Sequence, residues 1–199
     1  LTVSTPGALV SVDWLEWSWN PQRLLVGEVR LGNLAARGVQ VGLREDPDTK
    51  PEKSGVRLPT TLLPFSLILE KVLVERLAIL DSGSAQLLAI ASIEAGLRGN
   101  ARQLHIDRLA VEGTDIGFAL HGSVEAGENL SVDVLGKWHL AGFGFHPLQG
   151  SFSAQGPVAA PHVEIETDTS GAIRVGLDVM NLLEEPKWTG TIAATGVDL

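Results

Sequence analysis

Strict alternation of apolar and polar residues constrains the fold of this 199-residue chain more than any other feature. Between Leu130 and Leu140 an apolar residue or a glycine occupies every even position, and the stretch Ile173–Val179 alternates in the same way. A period of two puts one row of side chains on each face of a β-strand. Turn residues such as Gly156-Pro157 separate these runs. The pattern therefore predicts an all-β fold, an antiparallel meander of short strands.

A repeated unit of apolar-x-apolar, two spacer residues and apolar-x-apolar strengthens this prediction. Copies begin at Val10, Val29, Leu67, Leu88 and Leu104, which gives a period of roughly 19 residues if the charged loop described below replaces one copy. In a regular strand, the two spacers would send the second apolar pair to the opposite face. One bulged residue would restore the face and bend the strand. Two short strands meeting at a corner, as in a β-sandwich, would fit the same sequence pattern.

Two segments stand apart from the clear repeats. Residues 85–95 (AQLLAIASIEA) contain good helix formers, but the spacing of Ile90 and Ile93 also suits a strand, which we predict. Residues 44–57 carry eight charges and two prolines, and we expect a solvated loop between two β segments. Both ends of the sequence look cut from a longer protein. We therefore expect residues 1–199 to form a single repeating segment of a longer chain.

Composition and the absence of motifs exclude several classes of function. With 24 acidic and 15 basic residues the formal charge is −9, and no basic cluster suggests nucleic-acid binding. The chain lacks cysteine, and its five scattered histidines do not have the spacing of metal ligands. No nucleophile elbow, phosphate-binding loop or dinucleotide motif occurs. We therefore predict no catalytic residue, no metal, no cofactor and no enzymatic activity, and no apolar run is long enough to span a membrane.

Three tryptophans, Trp14, Trp17 and Trp19, fall in one predicted strand that Asn20-Pro21 closes. They could anchor a core. Alternatively, they could form a broad apolar surface whose indole N–H groups reach polar neighbours.

In ordered succession, these pieces of sequence resemble the TamB family, the inner-membrane component of the bacterial translocation and assembly module. That family belongs to the AsmA-like group of bridge-shaped lipid-transfer proteins. The resemblance covers most of the chain. It runs through Leu15-Glu-Trp17-Ser-Trp19-Asn-Pro21, Leu24-Leu25, Gly27-Glu-Val29-Arg-Leu31, Gly38-Val-Gln-Val41, the charged loop, Leu63-Pro64-Phe65, Leu67-Ile-Leu69-Glu-Lys-Val72 and Leu148-Gln-Gly150-Ser-Phe152.

The resemblance implies an elongated sheet curled into a half-open groove with an apolar inner wall. It implies a periplasmic segment, anchored elsewhere in the inner membrane, that carries phospholipid by its acyl chains and supports outer-membrane biogenesis. An Omp85-type barrel in the outer membrane would be a partner through parts of the chain not present in this sequence. The groove would be lined by Leu15, Trp17, Val29, Leu31, Val39, Val41, Leu43, Leu67, Leu69, Val72, Val74, Leu104, Ile106, Leu109, Val111, Ile116, Phe118, Leu120, Val132, Val134, Trp138, Phe152, Val163, Ile165, Val175, Leu177 and Ile192.

Two other functions remain open at this point. A chaperone or scaffold for outer-membrane barrel proteins would bind extended peptides by strand augmentation at a sheet edge. A closed β-sandwich binding module would bury the same apolar residues in its core and expose aromatic side chains that stack on sugars.

Overall fold

A computed structural model describes residues 1–4, 8–43, 62–81, 83, 85–127, 130–142, 147–168, 172–182 and 186–195. It confirms the predicted all-β fold, because apart from one short 3₁₀ helix, Pro21–Val26, every regular element in these ranges is a strand. The predicted charged loop at 44–57 lies outside the described residues. The strands are β1 Thr2–Ser4, β2 Ala8–Trp19, β3 Glu28–Leu43, β4 Ser66–Leu80, β5 Gln86–Gly99, β6 Gln103–Gly113, β7 Ile116–Glu125, β8 Ser131–Leu140, β9 Leu148–Pro157, β10 His162–Thr167, β11 Ala172–Met180 and β12 Lys187–Thr195.

All twelve strands form one sheet in the order of the sequence. Neighbours are antiparallel except for β3 and β4, which pair in parallel from Glu28↔Ser66 to Gly42↔Leu80, so the sheet is mixed. A parallel pair requires the chain to return along the full strand before the second strand begins. Residues 44–65 separate β3 from β4, and most of them lie outside the described residues. The parallel pair therefore falls where the repeat lacks one copy.

The sheet is open and has a single layer. Its outermost strands β1 and β12 do not pair, and within the described ranges each strand packs only on its neighbours in the sheet, apart from the contact of β3 with the 3₁₀ helix. The accessible surface is 13614 Å², whereas a compact protein of this mass exposes about 9000 Å². Among described hydrophobic residues only Ala35, Ala36 and Ala110 are buried, and even these keep 5–8% of their surface exposed. A closed sandwich is therefore wrong for this part of the chain, and the curled open sheet is correct.

β-Bulges hold the repeated units on one face, as one of the two sequence-based alternatives predicted. In β4, Leu69 and Val72 are three residues apart, yet they pair with Leu97 and Ala95 of β5, which are two apart. The extra residue keeps both side chains on the same face and increases the local twist. The repeat at 104–111 has the same bulge between Ile106 and Leu109.

The segment predicted as a strand at 85–95 is one, because β5 covers Gln86–Gly99. Its helix-forming residues pair on both sides, with β4 and with β6. Strand pairing therefore overrides their local preference.

Candidate functional site

One face of the sheet, here called the apolar face, carries a continuous central row of paired residues, one from each strand between β2 and β12. The register of the ladders defines this row, because directly paired residues of neighbouring strands point to the same face. It crosses the sheet from β2 to β12, which at about 4.8 Å per strand spacing is a length of about 50 Å. The row consists of Trp17, Leu34, Val72, Ala95, Leu109, Leu120, Gly136, Phe152, Ile165, Val175 and Ile192.

A second row runs beside the first, one pleat away, and is equally free of polar groups. No charged residue occupies a paired position anywhere on the apolar face of the described strands, and Thr167 at the end of β10 is the polar exception. The second row consists of Trp19, Leu31, Leu69, Leu97, Ile106, Gly122, Val134, Ala154, Val163, Leu177 and Gly190.

Every residue named above as a groove residue lies on the apolar face, as the strand registers show. The list omitted others that share the face. Among them are Leu77 and Ile79 of β4, and Ile90 and Ile93 of β5. The repeat beginning at Leu88 already contained Ile90 and Ile93, so the unit itself was a signal that could have found them.

The apolar face is not covered by any described part of the chain. In the middle of the sheet its large side chains are half-buried against one another, as at Leu109, Leu120 and Val134. Towards the margins they are largely exposed, with Ile192 at 76%. An uncovered apolar surface of this extent marks an interaction site in a folded protein.

The tryptophans of β2 are not core anchors. All three are exposed, and Trp17 and Trp19 belong to the apolar face. Trp14 lies on the opposite face, where the guanidinium of Arg37 stacks 4.9 Å from the centre of its ring. The alternative of an exposed aromatic surface therefore holds for Trp17 and Trp19 and does not hold for Trp14.

The opposite face, here called the polar face, carries ion pairs between neighbouring strands. Arg98 Nη2 of β5 lies 2.7 Å from Asp107 Oδ1 of β6, and Arg174 Nη2 of β11 lies 2.8 Å from Glu166 Oε1 of β10. All these side chains are well exposed, so each pair contributes at most about 1 kcal/mol. Their main effect is to keep the polar face hydrated, while the other side of the sheet remains the apolar face.

The described histidines stand on the polar face and form no metal centre. His162 Nδ1 lies 2.7 Å from Asp178 Oδ1, and its Nε2 lies 3.7 Å from Glu164 Oε1. The hydrogen bond to Asp178 raises the pKa of His162, and the charges of Asp178 and Glu164 add to the effect. Throughout the described ranges no group of three or more histidine, aspartate or glutamate side chains could hold a metal ion. His146 lies outside the described residues.

In the part of the chain that the structure describes, no helix has the length and hydropathy needed to cross a bilayer. Comparison with protein-family models, with curated proteins and with solved structures gives no match for this chain. The arrangement of the two faces is therefore the basis for a functional conclusion.

Proposed function

We propose that this chain is a periplasmic segment of a bridge-like protein that moves phospholipid between the inner and outer membranes along the apolar face. The observation that carries the proposal is the continuity of that face, which crosses all the strands from β2 to β12 without a charged position. The sequence resemblance to the TamB family supplies the compartment and the two membranes. In this proposal the curl of the sheet makes the apolar face the inner wall of a groove.

The energetics of acyl chains support such a surface. Each methylene left in water costs about 0.8 kcal/mol, so two chains of ordinary length cost roughly 20 kcal/mol, which prevents free crossing of an aqueous gap. A face about 50 Å long exceeds the roughly 15 Å that one leaflet's chains occupy in a bilayer. Several positions along the rows would therefore offer the chains similar contacts.

The absence of strong polar anchors also fits movement better than storage. A pocket that binds one ligand tightly uses a few convergent polar groups to fix its orientation. Among the paired positions of the apolar face in the described strands, Thr167 is the only polar residue. A lipid could advance from one strand to the next without breaking a hydrogen bond at each step.

Adjacent residues of β8 provide a matched test. Val134 lies on the apolar face, whereas its neighbour Leu135 lies on the polar face and is exposed. An aspartate in a hydrocarbon environment is disfavoured by about 3 kcal/mol, a factor of more than 100 in binding. We expect Val134→Asp to reduce the phospholipid that co-purifies with the protein, measured by lipid extraction and native mass spectrometry. Leu135→Asp should retain wild-type lipid.

The result that would contradict the proposal is equal lipid content in the two variants, or no lipid in the wild-type protein after exposure to phospholipid. Far-ultraviolet circular dichroism on both variants separates loss of lipid from loss of fold.

A second candidate function, a scaffold that binds extended peptides of barrel proteins, draws support from β12. This strand pairs with β11 on one side, and all nine of its residues, Lys187–Thr195, are exposed. Within the described residues no strand pairs with the other side of β12, and an edge of that kind presents backbone N–H and C=O groups to an added strand. Peptide binding at this edge would survive Val134→Asp, whereas lipid binding would not.

A further inference from the structure

An exposed hydrophobic corner lies where β2 turns into β3, at the β2 ends of the central and second rows. We call it the apolar corner. Leu25 is 90% exposed and Val26 is 72% exposed, which is unusual for aliphatic side chains in a folded protein. The apolar corner comprises Trp17, Trp19, Leu24, Leu25, Val26 and Phe65.

We infer that the apolar corner inserts into the interface of a phospholipid bilayer whose headgroups are zwitterionic. This deepens the proposed function and rests on it for its biological meaning, because it places one end of the apolar face against a membrane. The insertion itself does not require lipid to move along the sheet.

The backbone of the corner suits an apolar medium, where each unpaired N–H or C=O group is costly. Asn20 caps the 3₁₀ helix by accepting a hydrogen bond from Gln22 N at its side-chain Oδ1, and Pro21 has no N–H to satisfy. At the other end Gly27, in the left-handed conformation, donates its N–H to Leu24 O. The turn thus satisfies these terminal groups internally while it projects its side chains outwards.

The charges of the corner indicate which surface it fits. Arg23 Nε lies 3.9 Å from Glu28 Oε1, so the charged pair at the corner is neutral overall. A basic cluster, which would select anionic lipid, is absent there, although the whole chain carries −9. Tryptophan side chains such as Trp17 and Trp19 are enriched at the membrane–water interface because their rings are apolar and their N–H groups polar. Together these features favour a zwitterionic bilayer surface.

The test uses extruded vesicles of pure phosphatidylcholine and the intact chain. We expect the wild-type protein to co-sediment with the vesicles, to the same extent at low salt and at high salt. The double variant Leu25→Ser/Val26→Ser should partition at least about tenfold less, because two large side chains no longer enter the acyl region. Leu87→Ser is the matched control, since Leu87 is also exposed but lies near the opposite end of the β4–β5 pair. It should partition like wild type.

Three kinds of outcome would overturn the inference. The first is a failed vesicle assay, in which the wild-type protein does not co-sediment or the double variant and Leu87→Ser lose binding equally. The second is binding that needs anionic lipid and disappears at high salt. The third is self-association of the wild-type chain in sedimentation velocity, without vesicles, that the double variant abolishes, since the corner would then bind a second copy.

The two proposals fail independently. Val134→Asp should lose co-purified lipid and still partition onto vesicles. The double variant should partition weakly and still accept lipid delivered in detergent, measured by native mass spectrometry.

Discussion

Glycine 150 allows two strands to approach more closely than any side chain would permit, which makes its substitution a sharp test of the strand register. Gly150 of β9 lies on the apolar face, where it pairs with Trp138 on one side and Thr167 on the other. A methyl group at this position would lie 1.8 Å from the carbonyl oxygen of Glu166 in β10. Because the obstacle is backbone, β9 and β10 would have to separate. Overpacking of this kind costs about 2–3 kcal/mol in the free energy of unfolding.

Gly176→Ala provides the control, because the nearest atom to its new methyl is Thr191 Oγ1 at 3.5 Å, an ordinary contact. We expect urea denaturation, followed by circular dichroism, to show a midpoint about 1 M lower for Gly150→Ala than for wild type. Gly176→Ala should match wild type or gain slightly, since alanine restricts the unfolded chain. Equal midpoints for the two variants would refute the register of β9 and β10.

Two further predictions concern protonation and backbone conformation. The hydrogen bond to Asp178 raises the pKa of His162, so the pairing stabilises the fold fully below the unfolded value near pH 6.5 and is lost as pH rises through the higher folded value. The urea midpoint of wild type minus that of His162→Gln should therefore fall as pH rises above that unfolded value, and a pH-independent difference would contradict this. Gly38 (φ 62°) and Arg76 (φ 57°) adopt left-handed conformations in paired stretches of β3 and β4. Gly38→Ala should therefore lower the free energy of unfolding by about 1 kcal/mol or more, whereas Arg76→Gly should not lower it. The opposite ranking in urea denaturation would show that backbone strain does not decide the stability at these positions.

The alternation of the sequence was sufficient to predict the strands and which of their side chains share a face. Leu67, Leu69, Val72 and Val74 illustrate why, because the bulge implied by their spacing is the one that β4 forms. Local pattern carries this information, since the side chains of a strand alternate strictly and a bulge changes the count by one.

The direction of β4 and the openness of the sheet could not be obtained in that way. The sequence of the charged segment 44–57 does not indicate whether β4 runs parallel or antiparallel to β3. The parallel pairing of these two strands was therefore missed. An apolar row such as that through Leu109 fits a closed core and an open face equally well, because both require the same alternation. Close approaches such as that at Gly150 depend on long-range register and leave no local signal.

Quenching of a single tryptophan by brominated lipid tests most directly whether acyl chains occupy the apolar face. Trp138 lies near the C-terminal end of β8 on that face, half-buried, with its indole Nε1 donating to Ser151 O at 3.3 Å. In a variant whose other four tryptophans are replaced by phenylalanine, phospholipid brominated along its acyl chains should quench Trp138 fluorescence, and Val134→Asp should reduce that quenching. Bound brominated lipid that leaves Trp138 unquenched would contradict the account.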